Sequence, residues 1–511
     1  MEMQSPARGL DRRSFLRDSG LAAGGMMGLA AAQPVKSFVH AAGRSHVEEN
    51  TGPTADSPSL SRQLAKWVAE LRYEDLPAEV VDRAKGVTLH ALASSLLGSQ
   101  SRAGQEAVRL ITEEEAGVHH AATLLVNGTR VTKAGAAFAN SAMIYEGGKL
   151  DSFRMLTHPG ATILPNALIA AETTGASGRD FITGLAAGYE VMERMAADFI
   201  PTVMARGFHT SPVFGIFGAA VAAAKIMRFT ESQVNDAIGL CVNLAGGNLE
   251  SGALRESAAA RNATLAVLLA KQGHPGGAKA LEGNAGFYHA YACNNRGLLT
   301  YSFVGENETS LDRISANLGK DWMFLETLYR IYSIAGYNIA HIEVNAGLCE
   351  EHHIRVENVD RVEAVVNWLE TQYPSPAFPT RREDAPDPKR GSTSYYAAYG
   401  VVKHGFPLLP GAPDPPEVLE VMRGVTIIPS HRMPLFAPRI TIFTKDGKSY
   451  TKQATGREFI WDFNEEARRI RGVIPGLPIP PPQFEEIIAA CRDLDRHDRA
   501  DKLIQMTLKP S

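Results

Sequence analysis

The sequence predicts a mainly α protein, in which a large all-helical domain carries an inserted, smaller α+β lid domain. Apolar residues recur at helical spacing from about residue 59 to residue 322. Segments in this range are rich in alanine and glycine, and alternation of apolar and polar residues begins only after about residue 325. Helical spacing indicates helices that bury one face, whereas alternation indicates strands. The change of pattern therefore predicts two kinds of domain.

The composition excludes several classes of protein. The chain has 511 residues, 44% of them hydrophobic and 21% charged, which is too long for a single core. Lysine and arginine number 52 against 56 aspartates and glutamates, so the net charge of -4 lacks the basic excess of a nucleic-acid-binding protein. The four cysteines are far apart and form no CxxC pair, which leaves either one disulfide or four free thiols.

Residues 1–42 are predicted to be a twin-arginine signal peptide with its linker. Arg12 and Arg13 precede an uncharged run of small and apolar residues, 20–32. Paired arginines before such a run are typical of export through the twin-arginine pathway. The run is shorter than the roughly 20 residues that a membrane-spanning helix needs. We therefore expect a periplasmic or exported protein without stable membrane insertion, and a disordered basic N-terminus is the alternative.

Residues 57–325 are predicted to form the helical domain. Its clearest helices are rich in alanine and glycine and cover 161–173, 181–197, 215–227, 231–245 and 258–272. Small side chains let helices approach closely, which favours a compact bundle of antiparallel pairs. Glycine and proline divide the whole domain into about ten helices.

Residues 326–455 are predicted to form the α+β lid. The segment 359–369 has the character of a strand, and 439–444 and 449–453 flank the Asp446-Gly447 turn as a hairpin. Residues 456–511 are predicted to contain C-terminal helices that return to the helical domain. The lid is therefore an insertion.

Short motifs in a fixed order resemble the MmgE/PrpD family. They include Leu76-Pro77-Ala78-Glu79, His158-Pro159-Gly160, Gly207-Phe208-His209 and Leu281-Glu282-Gly283-Asn284, and the resemblance spans 59–495. It implies a helical domain, a smaller lid, an active site between them and a homodimer that uses no metal or organic cofactor. The family holds 2-methylcitrate dehydratases, cis-aconitate decarboxylases and iminodisuccinate epimerases. The resemblance thus implies a small polycarboxylate substrate and proton transfer next to a carboxylate.

Two histidines are the candidates for base and acid. His158 directly precedes Pro159, so its ring is presented from a loop at the start of a helix. It matches the catalytic His-Pro motif of the family, and capping of the helix is the alternative. His341 follows a stretch that resembles the family's Lys-Pro-Tyr-Pro motif and is the second candidate. Dehydration and epimerisation both need one group to withdraw a proton and another to deliver one.

Tyr395 is the third catalytic candidate. The segment 390–395 resembles the family's Ala-Arg-Phe-Ser-x-x-Tyr motif, which makes Tyr395 a phenolic donor. Its neighbours Tyr396 and Tyr399 leave the assignment open.

Candidates for substrate binding come from the same resemblance, except Arg154, which adds a cation that the family does not usually place there. They carry charged or hydrogen-bonding side chains and are Asp151, Ser152, Arg154, His209, Arg255 and Arg330. For three of them a structural role is the alternative. Ser152 would then be a loop N-cap, His209 a buried hydrogen-bonded histidine, and Arg255 a solvent-facing partner of Glu250 or Glu256.

The chain departs from the family at two charged positions. Gly148 stands where the family has an acid, and Gly252 stands where it has a lysine that binds or acidifies the substrate. Arg255, at the position of a family histidine, restores a positive charge close by, and its planar fork suits a carboxylate.

The predicted function is a cofactor-independent lyase or epimerase that acts on a small di- or tricarboxylate. A carboxylate-binding member without catalysis is the first alternative, because the site has lost charge of both signs at Gly148 and Gly252. A hydrolase or isomerase that acts on a less acidic substrate is the second.

Overall fold

The computed structural model describes residues 58–252, 254–372, 388–409 and 413–510. The predicted twin-arginine signal lies outside these residues. The structure is 56% helical and 9% strand, which confirms the mainly α class.

The described chain contains seventeen α-helices and several short 3-10 helices. In chain order the α-helices are α1 Leu60–Glu70, α2 Ala78–Gly98, α3 Arg102–Glu115, α4 Lys133–Glu146, α5 Pro159–Thr174, α6 Gly178–Ala196, α7 Ile200–Ala205, α8 Thr210–Ile226, α9 Glu231–Leu244, α10 Arg255–Lys271, α11 Phe287–Ala292, α12 Gly336–Glu351, α13 Thr393–Lys403, α14 Pro416–Arg423, α15 Phe463–Ile470, α16 Pro481–Arg492 and α17 Lys502–Met506. The 3-10 helices are Tyr73–Asp75, Leu311–Ile314, Met323–Glu326, Val356–Asn358, Trp368–Thr371, Arg471–Gly476 and Leu494–Arg496.

Eight strands form three sheets in the described chain. The strands are β1 Ala122–Thr123, β2 Arg130–Val131, β3 Leu150–Ser152, β4 Leu328–Arg330, β5 Val359–Asn367, β6 Val425–Ser430, β7 Arg439–Thr444 and β8 Ser449–Gln453. The largest sheet has the order β6-β5-β7-β8, in which β5 and β6 are parallel and the other pairs antiparallel. β1 pairs with β2, and β3 pairs antiparallel with β4.

The centre of the helical part is built from α5, α6 and α8, which pack against one another. Gly188 of α6 lies so close to Gly218 of α8 that a Cβ at Gly188 would approach the Gly218 carbonyl oxygen to 2.6 Å. Small residues are therefore required at this crossing, as the sequence indicated. The start of α6 is defined by Ser177, whose Oγ accepts from the Asp180 N–H while the Asp180 carboxylate accepts in return.

The predicted helices are confirmed with shifted ends. α5, α6, α8, α9 and α10 correspond to the five expected segments. α8 begins five residues earlier than predicted because Pro212 lies in its first turn, where a helix needs no backbone N–H donor. The strands β1 to β4 were not predicted, because two or three residues are too few to show alternation.

The α+β part has a small core of its own. The sheet packs against α12 and α13, and the hairpin β7–β8 lies where it was predicted. β5 ends at Asn367, two residues before the predicted end, because the Asn367 side chain caps a 3-10 helix there. Phe436, in the connection between β6 and β7, belongs to the large core of the helical part. The helices α15 and α16 pack on α2, while the exact domain boundaries remain predictions.

In the described part, no helix combines the length and the apolar character needed to cross a membrane. All four cysteines are free thiols, and only Cys293 is exposed.

Candidate active site

His158 lies at the junction of β3 and α5. It occupies the position before Pro159, and its backbone N–H donates to the Ser211 Oγ at 3.1 Å. The side chain forms no cap on α5, so the capping alternative does not describe it. The ring Nδ1 lies 3.1 Å from the Asp151 carbonyl oxygen and 2.8 Å from the Ser152 Oγ. Because a carbonyl oxygen only accepts, Nδ1 carries the hydrogen and Nε2 presents a lone pair.

The electrostatic surroundings keep His158 neutral. Arg330 Nη1 lies 3.4 Å from the His158 Nε2 and donates to it. Burial holds the pKa of His158 well below its usual range, and the positive charge of Arg330 lowers it further. A neutral imidazole is suited to accept a proton once its Nε2 lone pair is released from Arg330.

His158 faces a cavity of about 390 Å³ between the helical part and the first residues of α12. Its described lining is mostly polar and consists of Tyr145, Leu156, His158, His209, Leu249, Arg255, Arg330, Ser333, Ile334, Ala335, Tyr337, Asn338, Gly391 and Tyr396. Two of these residues are arginines, and no aspartate or glutamate lines the cavity within the described residues. The charge of the lining therefore favours an anionic ligand.

Arg255 begins α10 and lines the cavity beside the loop before it. Its Nη1 donates to the carbonyl oxygens of Asn248 and Leu249 at 3.1 and 3.0 Å. Its buried Nε has no hydrogen-bond partner among the described residues. The predicted solvent-facing pair with Glu250 or Glu256 is absent from the described contacts, and the guanidinium retains a donor.

His209 and Glu256 form a second buried pair next to the cavity. His209 precedes α8, and its Nδ1 lies 3.5 Å from the Glu256 Oε1. Burial lowers the pKa of His209 to about 3 and raises the pKa of Glu256 to about 7. The sequence analysis considered Glu256 only as a surface partner of Arg255. No sequence signal separates such a buried glutamate from an exposed one in the first turn of a helix.

Asp151 and Ser152 act from behind the cavity and are not among its lining residues. The Asp151 carboxylate accepts from the Gly160 N–H at 2.9 Å and from the Tyr189 hydroxyl. Burial raises the pKa of this carboxyl. The Asp151 side chain holds the start of α5 and does not line the cavity, so its contact with substrate stays a prediction. Ser152 contacts the ring of His158 instead.

Arg154 lies at a different cavity, of about 470 Å³. Its guanidinium stacks on Phe153 and Phe303 and lies 3.4 Å from Glu326 and 3.8 Å from Asp198. The structure therefore does not bring this predicted substrate-binding residue to the site.

His341 is fully buried on α12 and does not line the cavity. Neither ring nitrogen has a hydrogen-bond partner among the described residues, and burial lowers its pKa to about 3. Asn338, about one helical turn earlier, lines the cavity instead. The structure therefore places Asn338 at the cavity and His341 one turn deeper, and a catalytic role of His341 stays a prediction.

Tyr395 is also displaced from the predicted place. Its hydroxyl donates to the Asp414 Oδ1 at 2.6 Å, and the Tyr399 hydroxyl does the same. Tyr396, which the sequence left open, lines the cavity. Consecutive residues of a helix point about 100° apart, so Tyr395 and Tyr396 cannot both face one cavity.

Residues that adjoin the predicted ones in sequence also line the cavity. Tyr145 places its ring 6.2 Å from that of His158, centre to centre, and Ser333 and Tyr337 line the same wall as Arg330. Their nearness in sequence to named candidates was the only available signal. Within the described residues, no group of three or more potential ligands is arranged to hold a metal ion.

The fold and the site define a class of protein: a mainly helical protein with a small α+β part and a cavity that combines neutral histidines with arginines. Residues 62–296 match the family model of the MmgE/PrpD N-terminal domain. The matches to known proteins support the MmgE/PrpD family for this chain.

Three relatives illustrate the likeness. The cis-aconitate decarboxylase-like protein oryM of Aspergillus oryzae is 27% identical over 54% of this chain, and the match covers 59% of that relative. The cis-aconitate decarboxylase of Aspergillus terreus is 23% identical over 79% of this chain and 86% of its own length. The cis-aconitate decarboxylase of Homo sapiens is 24% identical over 78% of this chain and 83% of its own length.

Proposed function

We propose that this protein is a lyase or epimerase that acts on a small di- or tricarboxylate by moving a proton at the carbon next to a carboxylate. The observation that supports this most is a neutral His158 whose Nε2 lies 3.4 Å from the guanidinium of Arg330 at a cavity without lining acids in the described chain. The names of the relatives, cis-aconitate decarboxylases, agree with a small carboxylate as substrate.

In the proposed mechanism, substrate carboxylates bind at Arg330 and Arg255. Their negative charge offsets the positive charges that lower the pKa of His158, so Nε2 becomes more basic when the substrate is bound. Nε2 then takes the proton from the adjacent carbon, and Arg330 stabilises the negative charge that moves onto the carboxylate. In a lyase reaction the electron pair of the broken C–H bond forms a double bond to the neighbouring carbon, and a group leaves that carbon with the electron pair of its own bond. Return of a proton to the opposite face makes it an epimerisation.

A carboxylate-binding protein without catalysis is the second candidate. Two observations favour it. Gly252 stands at the position of the family lysine. A Cβ built on it would meet no atom within 4 Å in the described structure, so nothing there replaces the lysine side chain. His341 lies away from the cavity, so the expected second acid or base is missing there. The two candidates differ in whether any product forms.

We also propose that the protein is exported, forms a homodimer and needs no metal or organic cofactor. The resemblance to the family supports the last two properties, and Arg12 and Arg13 support the first. Sedimentation of the purified protein tests the dimer. Elemental analysis tests the metal, and a stoichiometric metal whose removal stops turnover would contradict this part of the proposal.

Proton exchange in D₂O tests the proposed function. The mature protein is incubated with a panel of di- and tricarboxylates, and proton NMR records loss of C–H signals and appearance of product. His158→Asn should lower the rate on the order of 100-fold or more, the usual effect of losing a general base. His341→Met is the matched control, because His341 is a buried histidine outside the cavity.

The outcomes separate the candidates. Exchange or product that depends on His158 and survives in His341→Met supports the lyase or epimerase. Carboxylates that raise the melting temperature of wild type and of His158→Asn, without exchange in either, support the binding protein. Turnover that is unchanged in His158→Asn would remove His158 from the mechanism.

A further inference from the structure

We propose that the buried ammonium group of Lys149, acting through the Ser333 hydroxyl, completes a second carboxylate subsite that makes the cavity selective for substrates with at least two carboxylates. The inference rests on the proposed function, because it concerns the same cavity, and it assigns to Lys149 a role as a positioning residue.

Lys149 is a fully buried lysine at the turn between α4 and β3, with a relative exposure of 1%. Its Nζ donates to the Ser333 Oγ at 3.1 Å and to the Leu408 carbonyl oxygen at 2.6 Å. Its backbone N–H donates to the Ser94 Oγ at 3.1 Å. The side chain therefore joins three separate segments of the chain beside the cavity wall.

The ammonium group has no ionic partner in the described structure, since no described carboxylate lies within 4.0 Å of the Nζ. A buried charge without a partner is costly and is normally paired. The two contacts of the Nζ are a hydroxyl and a carbonyl, which satisfy hydrogen bonding but leave the positive charge uncompensated. An anion bound on the far side of Ser333 would compensate it.

Ser333 is the link to the ligand because it lines the cavity, whereas Lys149 does not. The Ser333 Oγ accepts from the Lys149 Nζ, which leaves its O–H free to donate towards the cavity. A hydroxyl that accepts from a cation is a stronger donor, because hydrogen bonds in a chain polarise one another. Arg330 lines the same cavity, and its positive charge acts on Lys149, so a carboxylate bound between Arg330 and Ser333 would receive two kinds of donor.

Gly148 explains why this arrangement is possible. Its φ is +73°, and a Cβ built on it would lie 2.5 Å from the Ser333 Oγ. Both observations require glycine at 148 for the hydroxyl to occupy its place. The acid that the family has at this position is therefore replaced by a glycine, the Ser333 hydroxyl and the adjacent lysine, which together change the local charge from negative to positive.

The lowered pKa of Lys149 predicts a pH dependence of ligand binding. Burial lowers it to about 8, and the positive charge of Arg330 adds to the effect. Arg330 is the one charged group that acts on the ammonium in the described structure, and the Ser94, Ser333 and Leu408 contacts are uncharged. A carboxylate bound next to the ammonium should favour its charged form. Binding should therefore weaken as Lys149 loses its proton above pH 8.

Calorimetry with succinate and butyrate tests the selectivity, because the two acids have the same number of carbons and differ by one carboxylate. We expect wild type to bind succinate at least 10-fold more tightly than butyrate at pH 6.5. Lys149→Met and Ser333→Ala should each weaken succinate binding about 10-fold and leave butyrate binding unchanged. Lys225→Met is the matched control, since Lys225 is a half-buried lysine that donates to a backbone carbonyl away from the cavity.

The pH dependence provides a second measurement. Between pH 6.5 and 9.5 the succinate affinity of wild type should fall, and that of Lys149→Met should change little. Lys149→Met should fold, since it removes an uncompensated buried charge, and circular dichroism checks this. Ser333→Ala tests the same subsite without altering the charge.

The possible results distinguish this inference from the proposed function. Selectivity for succinate that persists in both Lys149→Met and Ser333→Ala would overturn the inference while leaving the function intact. Failure of wild type to bind either acid, together with no proton exchange on any carboxylate, would overturn both. Loss of selectivity in the two variants but not in Lys225→Met supports the subsite.

Discussion

His158 and His209 are both neutral because both are buried, and the charge of Arg255 near each ring lowers its pKa further. His158 is buried next to the positive charge of Arg330 and is held through Nδ1 by a backbone carbonyl. His209 is buried beside Glu256, a carboxyl that itself keeps its proton up to about pH 7. A bound anion would raise the pKa of both kinds of group, because nearby negative charge favours the protonated form of each. With both histidines neutral, Arg255 and Arg330 give the empty site a positive charge that a bound anion would balance.

Glu256→Gln should change the pH dependence of stability. The pKa of Glu256 is raised from 4.5 to about 7 on folding, so the folded protein binds this proton more tightly. The contribution to stability is complete below about pH 4.5 and declines as the pH rises to about 7. Relative to wild type, the variant should therefore gain on the order of 1 to 3 kcal/mol between pH 5 and pH 8.

Urea unfolding of both proteins at pH 5 and pH 8 measures this change. Glu113→Gln on the exposed face of α3 is the control and should show no such gain. An equal stability difference at the two pH values would contradict the raised pKa of Glu256.

Arg255→Ala should separate binding from turnover. The guanidinium is expected to hold a carboxylate in both the ground state and the transition state, so its loss should raise KM about 10- to 100-fold with little change in kcat. Arg154→Ala is the control, because Arg154 lines the other cavity. Steady-state kinetics on any substrate found by the exchange assay measures both. A fall in kcat at unchanged KM would assign Arg255 to the chemical step instead.

The sequence motifs predicted the location of the cavity more accurately than they predicted which side chains face it. His158, His209, Arg255 and Arg330 line the cavity, and each lies at or near the end of a helix or strand. Tyr395 does not line the cavity, because a motif gives a position along the chain but not the direction of the side chain around a helix. The direction depends on how the helix packs, and here the packing of α13 points Tyr396 to the cavity.

At the scale of elements, β3 and α5 are tied together by one residue. The Asp151 carbonyl holds the His158 ring, while the Asp151 carboxylate holds the Gly160 N–H and accepts from Tyr189 of α6. Such a buried carboxylate is stable only because its donors are in place. The position of the proposed base therefore depends on the contact of β3 with α6.

Tyr189→Phe should destabilise the protein more than an equivalent change elsewhere. It removes a hydrogen bond to a buried carboxyl and should cost about 1.5 to 3 kcal/mol. Tyr288→Phe is the matched control, since the Tyr288 hydroxyl is equally buried but donates to the neutral Met195 carbonyl at 3.0 Å. It should cost about 1 kcal/mol. Denaturant unfolding compares the two variants. Equal decreases in the free energy of unfolding would show that the hydrogen bond to Asp151 stabilises the protein no more than one to a neutral carbonyl.

Helices were more predictable than strands because of their length. α9 and α10 repeat their apolar pattern over several turns, and Thr230 marks the start of α9 by a side-chain cap. The strands β3 and β4 have three residues each, and their pairing joins segments that are far apart in sequence. No local pattern reports such a pairing, although it places Arg330 next to His158.

At the scale of the whole molecule, export remains a prediction that the N-terminal sequence supports. Replacing Arg12 and Arg13 together by lysine should retain the protein in the cytoplasm of its native host, because the pathway recognises the arginine pair. Cell fractionation and sequencing of the mature N-terminus measure this. Wild-type protein in the cytoplasm with its N-terminus intact would contradict export.

The pairing of β3 with β4 also determines which changes in chain length the molecule can accept. Arg330 lies opposite Leu150 in this ribbon, and Asp151 lies opposite Tyr329. Inserting one residue ahead of β4 would turn every side chain of the strand to the other face, and inserting two would restore the face but displace Arg330 by about 7 Å. Insertions and deletions near residue 327 should therefore be far less tolerated than substitutions there. A different lid grafted onto this helical scaffold should therefore keep the number of residues between the 3-10 helix Met323–Glu326 and β4 unchanged.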